Sequence, residues 1–358
     1  MYKNQIKNST NKIKTIWNII KTETNRQNKP LANKYQNSLD NFNKYFLSIA
    51  DKITNDVRYK NRESCKTLKS PTHYLAKLFH KPFPNIQCHN TSTKEIEKII
   101  KSLNLKKSYG YDEISTEILK ISAPFISSPL TYIRNRSILY GIFPTRLKYS
   151  IIKPIYKKGD RENAANYRPI SLLTAFSKVF EKIIYNRLIQ HIETNNILRD
   201  AQFGFRTFSS TEKASYKLID GILNALNNRM VVGGIFCDLQ KAFDCVNHNI
   251  LLTKLKYYGI TGTTHKLIKS HLKDKYQRVI LQNNSPDSRS KWGKITQGVP
   301  KGSILGPLLF LLYINPLAYT AACEAAGLAR SINTQPAVRR NSETNPTSQH
   351  KRGTYWSR

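Results

Sequence analysis

Acidic residues are scarce: 23 Asp and Glu stand against 58 Lys and Arg in 358 residues, a formal net charge of +35. The excess is spread along the chain and not gathered in one arm. A field of that sign favours polyanions, nucleic acid being the commonest. Solvated lysines from a biased Lys, Asn, Ile and Tyr composition are the plainer alternative. Cysteine is also sparse, with five residues (Cys65, Cys88, Cys237, Cys245, Cys323) in an odd number and without a C-x-x-C pair. That argues against a disulfide framework or a zinc site and for a reducing compartment. Long apolar runs are lacking too. The longest, "ILGPLLFLLYINPL" at 304–317, is too short for a confident span and is broken by Gly306, Pro307 and Pro316, so it reads as a core helix. The opening "MYKNQIKNSTNKIK" has no apolar h-region and does not resemble a signal peptide.

What is present is a chain of 39% hydrophobic residues, long enough for one large or two ordinary domains. Residues 1–90 are polar and Asn/Lys-rich, with Ile13, Ile16, Trp17 and Ile20 at the spacing of a short amphipathic helix. They read as an N-terminal extension or linker. At "STKEIEKIIKSLNL", Ser92 and Glu95 form a capping box ahead of Ile96, Ile99, Ile100 and Leu103, which predicts a helix. A second helix is predicted over "TAFSKVFEKIIYNRLIQHI", whose stripe of Phe176, Val179, Phe180, Ile183, Ile184 and Leu188 is core packing. Between them, "YSIIKPIYKKGDRENAANYRPISLL" reads as a strand leading into a basic loop, a candidate phosphate contact. "NHNILLTKLKYYG" turns helical and stops at Gly259. "YQRVILQN" and "SKWGKITQG" flank a turn as a strand pair. Strands and helices mix without a clean βαβ period, which predicts an α+β domain over 91–317. Residues 318–358 lose this texture and read as an unrelated, disordered tail.

The stretch "GGIFCDLQKAFDCVNH" at 233–248 places Asp238 after four residues that read as a buried strand, with Asp244 six positions on. A lone carboxylate at a strand end either caps the helix that follows or holds a cation.

Six blocks in order, "YGYDEISTEILK", "IIKPIYKKGD", "NYRPISLL", "QFGFR", "CDLQKAFDCVNH" and "QGVPKGSILGPLLFLLYIN", resemble the polymerase domain of reverse transcriptases from non-LTR (LINE-type, jockey-like) retrotransposons. The resemblance covers about 94–317. It implies a right-hand polymerase, here fingers and an incomplete palm, that copies RNA into DNA from an RNA template, a DNA primer and deoxynucleoside triphosphates. It implies two Mg²⁺ ions, with Asp238 as catalytic metal ligand and the Leu239 carbonyl as a second oxygen. Phe243 matches the family's steric gate under the incoming sugar, although an isolated Phe is more often core. Asp244 is assigned to ordering the following turn. Lys157, Lys158 and Arg168 match positions that grip the triphosphate, and Lys301 and Gly302 lie in the block near the nucleotide. The resemblance also implies an intracellular ribonucleoprotein, nuclear and cytoplasmic, with no membrane partner; it leaves the oligomeric state open.

The chain departs from the family's pattern in places. Lys301 stands where Gln is usual, "GYDEI" where "GPDGI" is usual, and Pro316 follows Asn315 in place of Asp. No "ADD" pair occurs in the 358 residues. The chain therefore reads as truncated before that box and inactive alone, with a non-catalytic nucleic-acid-binding fragment, or a misfolded one, as the alternatives.

Overall fold

The computed structural model describes residues 2–7, 9, 15–16, 19–20, 36–60, 70–79, 81–105, 108–234, 236, 238–280 and 289–317. Eleven helices are described: α1 (Tyr2–Lys7), α2 (Gln36–Lys60), α3 (His73–Leu78), α4 (Thr93–Ser102), α5 (Thr116–Ile121), α6 (Ala123–Tyr140), α7 (Ala175–Thr194), α8 (Thr211–Asn227), α9 (His248–Tyr257), α10 (Gly262–Leu272) and α11 (Leu305–Ile314). Four strands, β1 (Tyr149–Tyr156), β2 (Tyr167–Leu173), β3 (Lys275–Val279) and β4 (Gly293–Ile295), form one sheet in the order β2-β1-β3-β4. The mixed α and β content agrees with the α+β expectation.

The sheet begins as a hairpin. β1 and β2 pair antiparallel from Ser150↔Leu173 to Tyr156↔Tyr167, joined by the basic loop. β3 then joins β1 in parallel, Tyr149 facing Tyr276, and β4 returns antiparallel on β3. A parallel pair needs a long crossover; here it runs through α7 to α10.

Ser92 caps α4 by accepting the Glu95 amide, as the sequence predicts. The Glu95 side chain is engaged elsewhere: Arg187 of α7 donates to both its carboxylate oxygens at 2.9 and 2.7 Å, a bidentate pair that ties α4 to α7. Ile96, Ile99 and Ile100 then meet Val179, Phe180, Ile183, Ile184 and Leu188 in the main core, with Leu251, Leu255, Leu308 and Leu309 completing it. α9 ends as expected, Gly259 taking φ +77, where a Cβ would collide with the Pro84 carbonyl. α11 is the core helix predicted from its apolar run, and no helix among the described residues is long and apolar enough to cross a membrane.

The N-terminal region is built into the sheet. Leu39, Phe42, Phe46 and Ile49 of α2 bury themselves against Ile152, Tyr167 and Val279 in a second core. Asn43 exchanges bonds with Gln277 across it, its Nδ2 also donating to the Lys291 carbonyl at 2.9 Å. Of the short helix predicted around 13–20, Ile16 and Ile20 are described, both exposed; Ile13 and Trp17 lie outside the described residues, as does the tail 318–358.

One expectation is overturned. Of the buried strand predicted before Asp238, Gly233, Gly234 and Phe236 are described; none belongs to a strand, and all are exposed, Phe236 at 89%. An apolar run becomes a strand only where an edge supplies its hydrogen bonds, and no described segment pairs with it.

Candidate active site

Asp238 stands on this extended segment with its side chain exposed, and Leu239 beside it is 46% exposed. Among the described residues no hydrogen bond or ion pair reaches the Asp238 carboxylate. No group of three or more His, Cys, Asp or Glu capable of holding a metal ion occurs among them either. These residues therefore do not fit a two-ion site by themselves: they offer one carboxylate where such a site needs several oxygen ligands.

Beyond Asp238 the chain turns tightly. Lys241 takes the left-handed conformation at φ +50, and its carbonyl accepts the amides of Asp244 at 2.9 Å and Cys245 at 3.2 Å. Phe243, half-buried, stacks on Phe310 of α11 with ring centroids 4.6 Å apart, and Phe205 approaches its edge at 5.6 Å. The ring is thus fixed from below by the core whatever it faces above. The Phe243 carbonyl accepts the Val299 amide and the Val246 carbonyl the Gly298 amide, both at 2.8 Å, which clips the turn to the 298–302 segment.

That segment docks on the free edge of β2. The Ser171 amide donates to the Lys301 carbonyl at 2.8 Å, and Gly302 adopts φ +120, where a Cβ would stand 2.6 Å from the Ser171 oxygen. The close approach that Gly302 permits is therefore to β2 itself. The Lys301 ammonium forms an ion pair with Asp244, both side chains largely buried. This gives Asp244 a structural part, although its side chain holds the 301 segment while its amide closes the turn. It also accounts for a Lys at 301, since the ammonium has a carboxylate to answer.

The basic loop is braced from within. Tyr156 donates to the Gly159 carbonyl, Asn166 to the Asp160 carbonyl at 2.8 Å, and Tyr167 to the Arg161 carbonyl at 2.8 Å. Lys157, Lys158 and Arg168 project from it with exposed side chains.

Geometry joins these pieces through a residue that the sequence reading passed over. Lys241 reaches from its turn to donate to the Ala165 carbonyl, in the hairpin loop, at 3.3 Å. Burial pushes its ammonium pKa down, and so do the nearby charges of Lys301, Lys157 and Arg168, against Asp244 acting in the other direction. The charges of Lys301, Asp244, Lys157 and Arg168 thus all act on Lys241, and Asp244 itself is paired with Lys301. Of the positions singled out in sequence, Lys157, Arg168, Asp244 and Lys301 all act on Lys241; Asp238 and Leu239 remain on the exposed segment before it. Lys241 was visible inside "CDLQKAFD", but its partners are contributed by three separate stretches.

α2 borders the same place. Burial, and secondly Asp244, push the Tyr45 hydroxyl pKa up, and Gln297 donates to Asp51 at 3.1 Å. A cleft of about 450 Å³, lined in part by His248, Lys269, Lys273 and Lys294, opens on the other side of Gln297 and contains none of the candidate site residues.

The family model for reverse transcriptase (RNA-dependent DNA polymerase) matches residues 155–324. Over 227 residues the chain is 37% identical to a probable RNA-directed DNA polymerase from transposon BS of Drosophila melanogaster, covering 62% of this chain and 24% of that protein. It is 34% identical over 226 residues to the corresponding X-element protein of the same species, covering 61% and 24%. It is 26% identical over 310 residues to the RNA-directed DNA polymerase from its mobile element jockey, covering 85% and 32%. The chain thus spans about a quarter of the length of the first two relatives. The matched segment includes Lys157, Arg168, Asp238, Lys241, Asp244 and Lys301, and residues 155–324 are a reverse transcriptase domain similar to those of non-LTR retrotransposon polymerases.

Proposed function

We propose that residues 91–317 are the fingers and part of the palm of an RNA-directed DNA polymerase that copies retrotransposon RNA, extending a DNA primer with deoxynucleoside triphosphates. The observation that carries this reading is the approach of Lys157, Arg168 and Lys301 to Lys241, beside the Lys301–Asp244 ion pair. Four cations with one carboxylate among them leave a surplus of positive charge, which a polyphosphate neutralises. Arg168 offers a planar fork for two phosphate oxygens, and the lysines act as point charges. Phe243, wedged against Phe310, supplies a rigid ring for the sugar to meet, as a steric gate does. Lys158, exposed beside Lys157, is a further candidate for the triphosphate. Mg²⁺ is the divalent ion this reading assigns to the family's chemistry, with Asp238 and the Leu239 carbonyl as ligands and the others not among the described residues.

A second reading, a nucleic-acid-binding segment without catalysis of its own, is favoured by the solitary exposure of Asp238. Both readings require RNA binding without sequence preference. Filter binding of a mixed-sequence RNA across a salt series checks this: log K falls against log salt with a slope of about −0.7 to −0.9 for each phosphate contacted. A flat response removes both readings. Primer extension separates them.

A further inference from the structure

α6 is apolar around most of its circumference, and a helix of that kind is ordinarily enclosed. Only one side of it is. Ala123, Leu130, Ser137 and Ile138 are among its buried residues, whereas Phe125, Tyr132, Ile133, Arg136, Leu139 and Tyr140 are exposed, Phe125 at 82% and Tyr132 at 66%. At 3.6 residues per turn these six fall within about a third of the circumference, so they form one stripe along the helix. The stripe is also a gap in the charge. Lys and Arg supply 58 of the 358 residues, yet residues 121–133 contain no charged side chain. Arg136, the one ion on the stripe, lies across the rings of Tyr132 and Tyr140, its guanidinium 5.9 and 4.7 Å from their centroids. Among the described residues no carboxylate pairs with it. A guanidinium is weakly hydrated and stacks on rings, so it does not interrupt an apolar contact.

We propose that the exposed face of α6 is a self-association surface, on which a second copy of this chain packs its own α6 antiparallel across a two-fold axis. Two observations select that occupant. The first is area: with Ile121 and Ile142, exposed just beyond either end of the helix, the stripe offers roughly 800 Å² per copy, the share that a stable interface takes from each partner. The second is self-complementarity. With the axis between Tyr132 and Ile133, Phe125 meets the partner's Tyr140, and the exposed Pro129 meets the partner's Arg136. The two Arg136 residues then stand about 10 Å apart along the helix, at 1.5 Å per residue. A parallel pairing sets them against each other. α8 has an exposed apolar stripe of its own, but no buried residue anchors that helix as a platform, whereas the inner face of α6 belongs to the main core.

Two chains of net charge +35 repel at long range, so salt strengthens this association while it weakens binding to RNA. Sedimentation equilibrium of the full chain at about 0.1 and 0.5 M salt reads both the mass and its salt dependence. The wild type sediments at twice its 41.2 kDa at micromolar concentration, more completely at the higher salt. Phe125→Ala and Tyr132→Asp each weaken the dimer by about tenfold or more. Both side chains face solvent in the single chain, so the circular dichroism of the variants matches the wild type. Leu223→Lys, on the α8 stripe, leaves the dimer unchanged. A wild type that stays at 41.2 kDa up to about 100 µM, beyond the Kd that such an area gives, overturns the proposal. A dimer that survives both α6 variants overturns it too, because another surface then carries the contact. If the wild type is a monomer and the neutral change Phe125→Ala lowers affinity for a mixed-sequence RNA, RNA and not a second copy occupies the stripe.

Discussion

Glu181 of α7 is fully enclosed, yet its carboxylate is put to use: one oxygen accepts the amides of Ile304 at 2.7 Å and Leu305 at 3.4 Å, where α11 begins. A negative group there complements the helix dipole. The other oxygen faces His271 at 3.7 Å, and the buried Lys275 ammonium donates to His271 Nε2 at 3.1 Å. Burial pushes Glu181 up and His271 well below the usual histidine value. Lys275 falls to about 8, burial again being the main cause, with Glu181 opposing it. Lys275→Met removes the countercharge while leaving the carboxylate in place, so it costs about 3–5 kcal/mol, whereas Lys275→Met with Glu181→Gln recovers much of that loss. Denaturant melts of the three chains check this. The lysine also predicts a pH dependence. An unfolded lysine titrates near 10.4, roughly two units above the folded one, so between those values the unfolded state holds the proton and the folded state does not. Lys275 therefore burdens the fold fully below about pH 8, and stability rises with pH through that window by up to about 1.4 kcal/mol per unit. This slope is absent in the double variant. Nothing in the spacing of Glu181, His271 and Lys275 announced the cluster, because the three lie on a helix, a helix end and a strand that meet only after folding.

At the level of elements, legibility followed how local the cause was. α4, α7, α9 and α11 were readable because caps, apolar stripes and Gly259 are local signals. So were β1 and the β3–β4 pair, whereas β2 lies inside the stretch that reads as the basic loop following β1. The parallel join of β1 to β3 was not, since no short-range feature encodes which strands become neighbours across a long crossover. α2 was read as a loose extension because its apolar residues signal a buried face but not the sheet they cover. The segment before Asp238 failed for the opposite reason: its composition suits a strand, but a strand is a property of a pair. α8 shows the same dependence in helical form. Tyr216, Ile219, Leu223 and Leu226 recur at spacings of three and four, the pattern of a packed seam, yet each is more than half exposed and no residue of the helix is buried. The two helices therefore respond differently to substitution. Leu223→Lys on α8 changes stability by less than about 0.5 kcal/mol, whereas Ile183→Ala on α7, where the side chain is fully buried, costs about 2–5 kcal/mol. Urea titrations of both variants test the contrast; a large loss from Leu223→Lys means that its stripe is covered in solution.

For the whole molecule, the proposed polymerase site is uneven: it draws its phosphate contacts from Lys157, Arg168 and Lys301, and its metal-binding half from one carboxylate, Asp238. Arg168 stands on β2, which pairs with β1 along its length, and the Lys301 carbonyl is bonded to the same strand. Asp238 lies on a segment that no described strand supports. Two divalent ions about 3.5–4 Å apart, the arrangement that in-line phosphoryl transfer uses, need several shared oxygen ligands. Asp238 and the Leu239 carbonyl do not supply them, and the 358 residues contain no adjacent pair of Asp. The loss of a few kcal/mol of charge stabilisation is a factor of about a thousand or more in rate, each 1.36 kcal/mol being tenfold. On the proposed reading, the expected outcome for these 358 residues is binding of primed RNA without measurable extension of the primer. Appending the "ADD" hairpin and the segment that follows it in a jockey-type relative after Leu317 gives the Asp238 segment both a strand to pair with and the missing carboxylates. That chimera extends a DNA primer on an RNA template, and Asp238→Asn within it abolishes extension while leaving RNA affinity within about twofold, since an exposed carboxylate adds little to phosphate binding. Extension by the unmodified chain, or by the chimera carrying Asp238→Asn, places the metal site somewhere other than Asp238.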